Sequence, residues 1–196
     1  VLKTLTNNSF SKCPKLLSLW LPSVETINRT ALDNSSIEYL QLDNVKTIKS
    51  LPQTLKGFVA PTSLSSISAT IPSTDFIVYG YTGTYAEEFA KNNNKQFSTV
   101  PAIVYDLEEK VDIEDRFIVV YALGFNCKYQ WYKNDQLSNE GGTLIEGATN
   151  YYYEPTRNDN AAAYYCVITS SDGINENTIT TKYIANALEY READYT

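Results

Sequence analysis

The stretch Leu16-Leu17-Ser18-Leu19-Trp20-Leu21-Pro22-Ser23-Val24-Glu25-Thr26-Ile27 decides the fold, because Ile37-Glu38-Tyr39-Leu40-Gln41-Leu42-Asp43-Asn44-Val45-Lys46-Thr47-Ile48 repeats its apolar frame. Leu16, Leu19, Leu21, Val24 and Ile27 find their counterparts in Ile37, Leu40, Leu42, Val45 and Ile48 at identical spacing. Leu55, Phe58, Ala60, Leu64 and Ile67 follow with one residue inserted at Pro61-Thr62-Ser63, and Phe76, Tyr79 and Tyr81 open a fourth unit. Successive units start 21, 18 and 21 residues apart. This spacing fits neither a helical period nor a long strand alternation. The central pair of apolar residues shares one face of a short strand, and the outer positions turn inward at the corners of a coil. Each coil buries its apolar positions only against its neighbours, so the stack needs several units and a cap at each end.

The cap is read at Tyr79 to Phe97. Thr84 with Glu87 three residues on makes a capping box. Tyr85, Ala86, Phe89 and Ala90 share one helical face, and Asn92-Asn93-Asn94 ends the helix because Asn tolerates the left-handed conformation needed there. Ile77-Val78-Tyr79-Gly80-Tyr81-Thr82-Gly83-Thr84-Tyr85-Ala86-Glu87-Glu88-Phe89-Ala90-Lys91 resembles the C-terminal end of BspA-like leucine-rich repeats, and Phe10-Ser11-Lys12-Cys13-Pro14-Lys15-Leu16 resembles that family's repeat start. The resemblance covers about residues 8–97, with Ala31 and Leu51 standing where the family has Phe. It implies a secreted or cell-surface bacterial protein engaged in adhesion or ligand display.

After Phe97-Ser98-Thr99-Val100-Pro101 the pattern changes to short strands between turns, at 102–105, 116–122, 126–133, 143–145, 150–154, 162–169 and 178–184. Seven such strands predict an antiparallel sandwich. Trp131, Tyr164 and Cys166, with the run Asn160-Ala161-Ala162-Ala163-Tyr164-Tyr165-Cys166, resemble the immunoglobulin-like domains, in which the Trp sits in the core and the Tyr forms a corner. Val119 stands where the resemblance expects the partner Cys. Cys127 lies four residues before Trp131, so if Trp131 faces Cys166 the two sulfurs are separated by about four residues at roughly 3.3 Å each. Disulfides span Cα separations of at most about 7 Å, so free thiols are expected, with a core of Val119, Trp131, Tyr151, Tyr153, Tyr164 and Ile168.

Composition bounds the chemistry. Sixteen Lys+Arg against 23 Asp+Glu leave a net charge of −7, the wrong sign for tracking nucleic-acid phosphates or anionic membranes. No apolar run is long enough to span a bilayer. The chain has no Met, so it is expected to be a piece of a longer protein. It also has no His, which removes the usual general base, the commonest zinc ligand and every Ser-His or Cys-His pair. Asp106, Glu108, Glu109, Asp112, Glu114 and Asp115 crowd together and raise calcium binding or a paired-carboxylate hydrolase, but no calcium-loop spacing accompanies them. They read as a solvated acidic turn.

The fold expected is mainly β: a short leucine-rich-repeat solenoid with a C-terminal capping helix over 1–98, an immunoglobulin-like β-sandwich over 101–186, and a tail over 187–196. The expected function is a non-enzymatic, extracellular or cell-surface binding or adhesion module of a bacterial protein. It is taken as a monomer with a protein or glycan ligand and with no cofactor, metal, nucleic acid or membrane insertion. The alternatives are a structural spacer presenting another module and, more distantly, a carboxylate-based hydrolase. Sixteen tyrosines invite a binding surface. Strand parity turns Tyr132, Tyr152 and Tyr165 away from the sandwich core. Trp20 lies between two inward leucines and so faces out beside Ser18, Gln41 and Val59.

Overall fold

The computed structural model describes residues 1–99, 103–111, 116–156 and 159–186, with the backbone alone at 106, 109–111 and 116. The chain divides into two compact units, Val1–Ala102 with Leu123–Phe125, and Ile103–Ala122 with Asn126–Thr196. Among the described residues the fold is mainly β, with one short helix and a solenoid-like stack of about five turns.

In the first unit the strands are β1 (Thr4–Leu5), β2 (Ser18–Leu21), β3 (Thr26–Ile27), β4 (Tyr39–Leu42), β5 (Thr47–Ile48), β6 (Gly57–Val59), β7 (Ser66–Ile67), β8 (Ile77–Tyr79) and β9 (Gln96–Ser98). They form two parallel sheets, β2-β4-β6-β8-β9 and β1-β3-β5-β7. Leu19, Leu40, Phe58, Val78 and Phe97 lie in register along the first, and Leu5, Ile27, Ile48 and Ile67 along the second. All nine pack into one core cluster. Backbone bonds repeat with the coils: the Leu17 carbonyl takes the N–H groups of Glu38 and Tyr39, and the Glu38 carbonyl takes those of Lys56 and Gly57.

The register alters the predicted frame in its fourth unit. Val78, not Tyr79, pairs with Phe58 and is fully buried, so Tyr79 pairs with Val59 on the other face. A one-residue slip exchanges the two faces of a strand, and the apolar Val at 78 selects the register. The ladders also extend beyond the repeated apolar frame at both of its ends, within residues 1–98. Leu5 begins the second sheet one ladder earlier, and β9 adds a strand after the helix. Ala31 and Leu51, the two departures from the resemblance, are both buried in the same core.

The helix α1 (Tyr85–Asn92) buries Ala86, Phe89 and Ala90, as the spacing predicts. Its N-terminus corrects the capping box. Thr84 is the N-cap residue but makes no side-chain cap bond, because its hydroxyl donates backward to the Tyr81 carbonyl at 2.6 Å. The Glu87 carboxylate accepts from the Gly83 N–H at 2.7 Å, one residue earlier than the box requires. At the other end Asn94 takes a left-handed φ of 52°. Its N–H reaches the Lys91 carbonyl at 3.3 Å and the Lys95 N–H reaches Ala90 at 2.8 Å, the paired bonds of a Schellman motif.

The second unit holds β10 (Val104–Val111), β11 (Arg116–Leu123), β12 (Lys128–Asn134), β13 (Thr143–Leu144), β14 (Tyr152–Tyr153), β15 (Ala163–Ser171), β16 (Glu176–Thr180) and β17 (Ile184–Ala185). One sheet is ordered β10-β11-β14 and the other β13-β12-β15-β16, with β17 also on β15. Ile118 and Val120 from the first sheet and Trp131, Tyr164, Cys166 and Ile168 from the second share one core. Trp131 pairs directly with Cys166. Cys13, Cys127 and Cys166 carry free thiols, Cys127 lying four residues before Trp131 and just ahead of β12. Two predicted core members are placed differently. Val119 is buried but lies outside this core cluster, since alternation gives the core face to Ile118 and Val120. Tyr151 is 54 % exposed, because β14 begins only after it. Residues 187–196 lie outside the described residues. Among the described residues, no helix is long and apolar enough to cross a membrane.

Candidate functional site

The outward face of the first unit's larger sheet carries two cross-strand rows, Ser18-Tyr39-Gly57-Ile77-Gln96 and Trp20-Gln41-Val59-Tyr79-Ser98. They face outward because the residues between them, Leu19, Leu40, Phe58, Val78 and Phe97, are drawn into the core. Trp20 remains 57 % exposed, the position its sequence alternation predicts. Its ring is nevertheless held. The indole Nε1 donates to Asp43 Oδ2 at 2.6 Å, and the other carboxylate oxygen, Oδ1, accepts from Gln41 Nε2 at 3.1 Å. One carboxylate therefore sets two neighbouring side chains, reducing the rotamer entropy that ordering an exposed tryptophan against a ligand would otherwise cost.

A second aromatic group sits beside it. Gly57 lies between Tyr39 and Ile77 in the row, and a Cβ there would meet Tyr79 Cε2 at 3.2 Å and Tyr39 Cδ1 at 3.5 Å. The glycine thus leaves room for both tyrosine rings to lean over its backbone. Burial, followed by the neighbouring Tyr39, pushes the Tyr79 hydroxyl above its usual range, so it remains a neutral donor and acceptor. Val59, expected to be exposed, is buried instead. It pairs with Gln41 on one side and Tyr79 on the other.

Asp43, Tyr39 and Tyr79 were not legible as site residues in the linear pattern. The signal for Asp43 was present: 21-residue spacing sets Gln41 opposite Trp20, and Asp43 lies two residues further along the same face. Tyr79 was hidden by the slipped frame.

In the second unit the predicted tyrosines separate. Tyr132 is half-buried, and Tyr152 sits at 37 % exposure, edge-on to Tyr151 with centroids 5.2 Å apart. Tyr165 is only 4 % exposed, so it presents no binding surface. It does turn away from the core, but Tyr132 stacks on it at 5.2 Å and 4°, and the Gly142 N–H donates to its hydroxyl at 3.1 Å. The β12–β13 connection lies over this ring, a contact that strand parity alone does not reveal.

Trp131, Tyr164 and Cys166 are all buried. Trp131 is fully buried and its Nε1 donates to the Asn150 carbonyl at 2.9 Å. Tyr164 is buried, with its hydroxyl accepting from Asn186 Nδ2 at 3.4 Å. Burial pushes the Cys166 thiol up to about 12. Of the acidic residues raised for calcium, Asp112, Glu114 and Asp115 lie outside the described residues, as do the side chains of Asp106 and Glu109. Among the described residues no cluster of His, Cys, Asp and Glu forms a metal centre. No protein-family model matches the chain and no curated protein matches it, which leaves the geometry of the sheet face around Trp20 as the basis for a function.

Proposed function

We propose that this chain is a binding module of a bacterial surface protein, a BspA-like leucine-rich-repeat segment followed by an immunoglobulin-like sandwich, acting outside the cell without catalysis. The observation that carries the binding assignment is an exposed tryptophan held in place by Asp43 on an ordered sheet face. A pre-set aromatic ring is the residue type that dominates interface energetics. The tyrosines over Gly57 extend the surface with polar tips, while the Gln41 amide is held at both ends, its oxygen accepting from the Gly124 N–H at 2.7 Å and its nitrogen donating to Asp43. The leucine-rich-repeat assignment is supported by the in-register Leu and Ile ladders and the terminal helix. The immunoglobulin-like assignment is supported by the Trp131–Cys166 pairing and the buried Tyr164 two residues before Cys166. The ligand is a protein or a glycan, taken up by a monomer.

The test is to screen the whole chain against a glycan array and immobilised extracellular-matrix proteins, with Trp20→Ala beside it. The module reading expects a ligand whose affinity falls roughly thirtyfold in the variant, the scale of an interface hot spot. Equal binding by Trp20→Ala, or no ligand in either panel, would overturn it.

A further inference from the structure

The second sheet of the first unit carries a different kind of site. Leu5, Ile27, Ile48 and Ile67 stand in register, so the residues that leave this ladder do so side by side. An open, solvent-facing cavity of about 430 Å³ lies there, lined by the exposed Asn7, Arg29, Lys49 and Ser68 and the half-buried Asn28. Asn28, Lys49 and Ser68 each directly follow a ladder isoleucine, and their backbone N–H groups are tied to the preceding coil at Leu5, Ile27 and Ile48. Adjacent strands lie about 4.8 Å apart, so these three side chains span roughly 10 Å on a rigid frame.

The lining is unusual for this chain. The protein carries seven more acidic than basic residues, yet no carboxylate lines the cavity and two cations do. Elsewhere in the same unit lysines are neutralised: Lys3 and Lys46 both pair with Glu25, and Lys56 pairs with Glu38. Among the described residues, neither Arg29 nor Lys49 makes an ion pair. The remaining linings, two Asn amides and one Ser hydroxyl, donate and accept hydrogen bonds and present no aromatic or aliphatic floor.

We infer that this cavity binds an acidic saccharide, with Arg29 and Lys49 holding a sulfate or carboxylate group and Asn7, Asn28 and Ser68 bonding the sugar hydroxyls. A guanidinium forks onto an oxyanion in a bidentate pair, and an ammonium adds a point charge beside it. The open groove has room for one or two sugar rings lying along it with one face in solvent. Two amides and a hydroxyl beside the two cations match the donor and acceptor hydroxyls of a sugar, which favours a polyhydroxylated anion over a bare one. The site lies on a different sheet from Trp20 and stands or falls independently of that surface.

The experiment is an amide-resolved NMR titration of the whole chain with a sulfated uronate-containing disaccharide, its desulfated uronate form, a neutral disaccharide and sodium sulfate. Shifts for the sulfated or the uronate sugar should centre on Asn7, Asn28, Arg29, Lys49 and Ser68, and whichever binds identifies the anionic group. Binding should weaken with added salt and fall about ten- to a hundredfold in Arg29→Gln/Lys49→Gln, the loss of charge-assisted hydrogen bonds. Trp20→Ala should titrate as the parent does. Equal affinity for sodium sulfate and the sulfated sugar would overturn the saccharide assignment. So would equal affinity for the neutral sugar, shifts centred elsewhere, no binding, or a double variant that keeps a native spectrum and binds undiminished.

Discussion

Replacing Phe58 with Ala should destabilise the first unit selectively, and the size of the loss follows from where the ring sits. Phe58 is 1 % exposed and belongs to β6, in the middle of the larger sheet. Its ring lies 6.1 Å from Phe76 at the entry to the next coil and 6.4 Å, nearly edge-on, from Phe89 of α1. One side chain therefore joins two coils to the capping helix. Burying a phenylalanine and then deleting it costs about 3–5 kcal/mol, and the two aromatic contacts push the value toward the upper end. Collapse into the void is resisted because the walls belong to three different elements held by backbone ladders. A loss of 3 kcal/mol corresponds to roughly two orders of magnitude in the exchange rate of amides protected by unfolding of the unit. Hydrogen-exchange mass spectrometry should read this in peptides spanning residues 37–98. Leu5→Ala, at the first ladder and with a coil on one side only, should cost less, because a solenoid couples nearest neighbours. An exchange increase below about tenfold in Phe58→Ala, or a larger one in Leu5→Ala, would refute the argument that this ring links coil to cap.

Other perturbations probe separate features. A Cβ at Gly142 would sit 2.7 Å from the Lys133 carbonyl and 2.8 Å from Tyr165 Cε1, so Gly142→Ala should cost about 1–3 kcal/mol in urea unfolding and loosen the Tyr132–Tyr165 stack. A change below about 0.5 kcal/mol would show that the β12–β13 connection is free to shift. Burial pushes the thiols of Cys127 and Cys166 up to about 11 and about 12, so at pH 8 maleimide should label Cys13 first and Cys166 only in denaturant, as followed by peptide mass spectrometry. Rapid native labelling of Cys166 would contradict its burial. Hydrogen bonds from Lys3 and then Lys46 hold the Glu25 carboxyl down at about 2 instead of its ordinary 4.5. A depressed folded-state value means this contribution is complete above about pH 4.5 and is lost as pH falls toward 2. The gap in melting temperature between the parent and Glu25→Gln should accordingly close over that window and shrink in high salt, since all three groups are solvent-exposed enough to be screened.

What the linear sequence determined is what depends on neighbours along the chain. Within a coil, the step from Leu40 to Leu42 to Val45 to Ile48 specifies which residues turn inward, because alternation on a short strand and the corners around it are local geometry. The same holds for the helical face of Ala86, Phe89 and Ala90, and for Asn94, whose left-handed turn Asn adopts at little cost. Tertiary structure decided whatever depends on the coil or strand alongside. Val78 displaced Tyr79 from the core because lateral hydrogen bonding to β6 set the register, and a one-residue difference in loop length is enough to exchange the faces. Tyr165 has outward parity yet is buried, because a connection more than twenty residues away in sequence covers it. Trp20 was legible as exposed but not as held, since its partner Asp43 lies one coil later. The cavity around Arg29 and Lys49 has no linear signature at all: its lining comes from four successive coils, and only their stacking brings those side chains together.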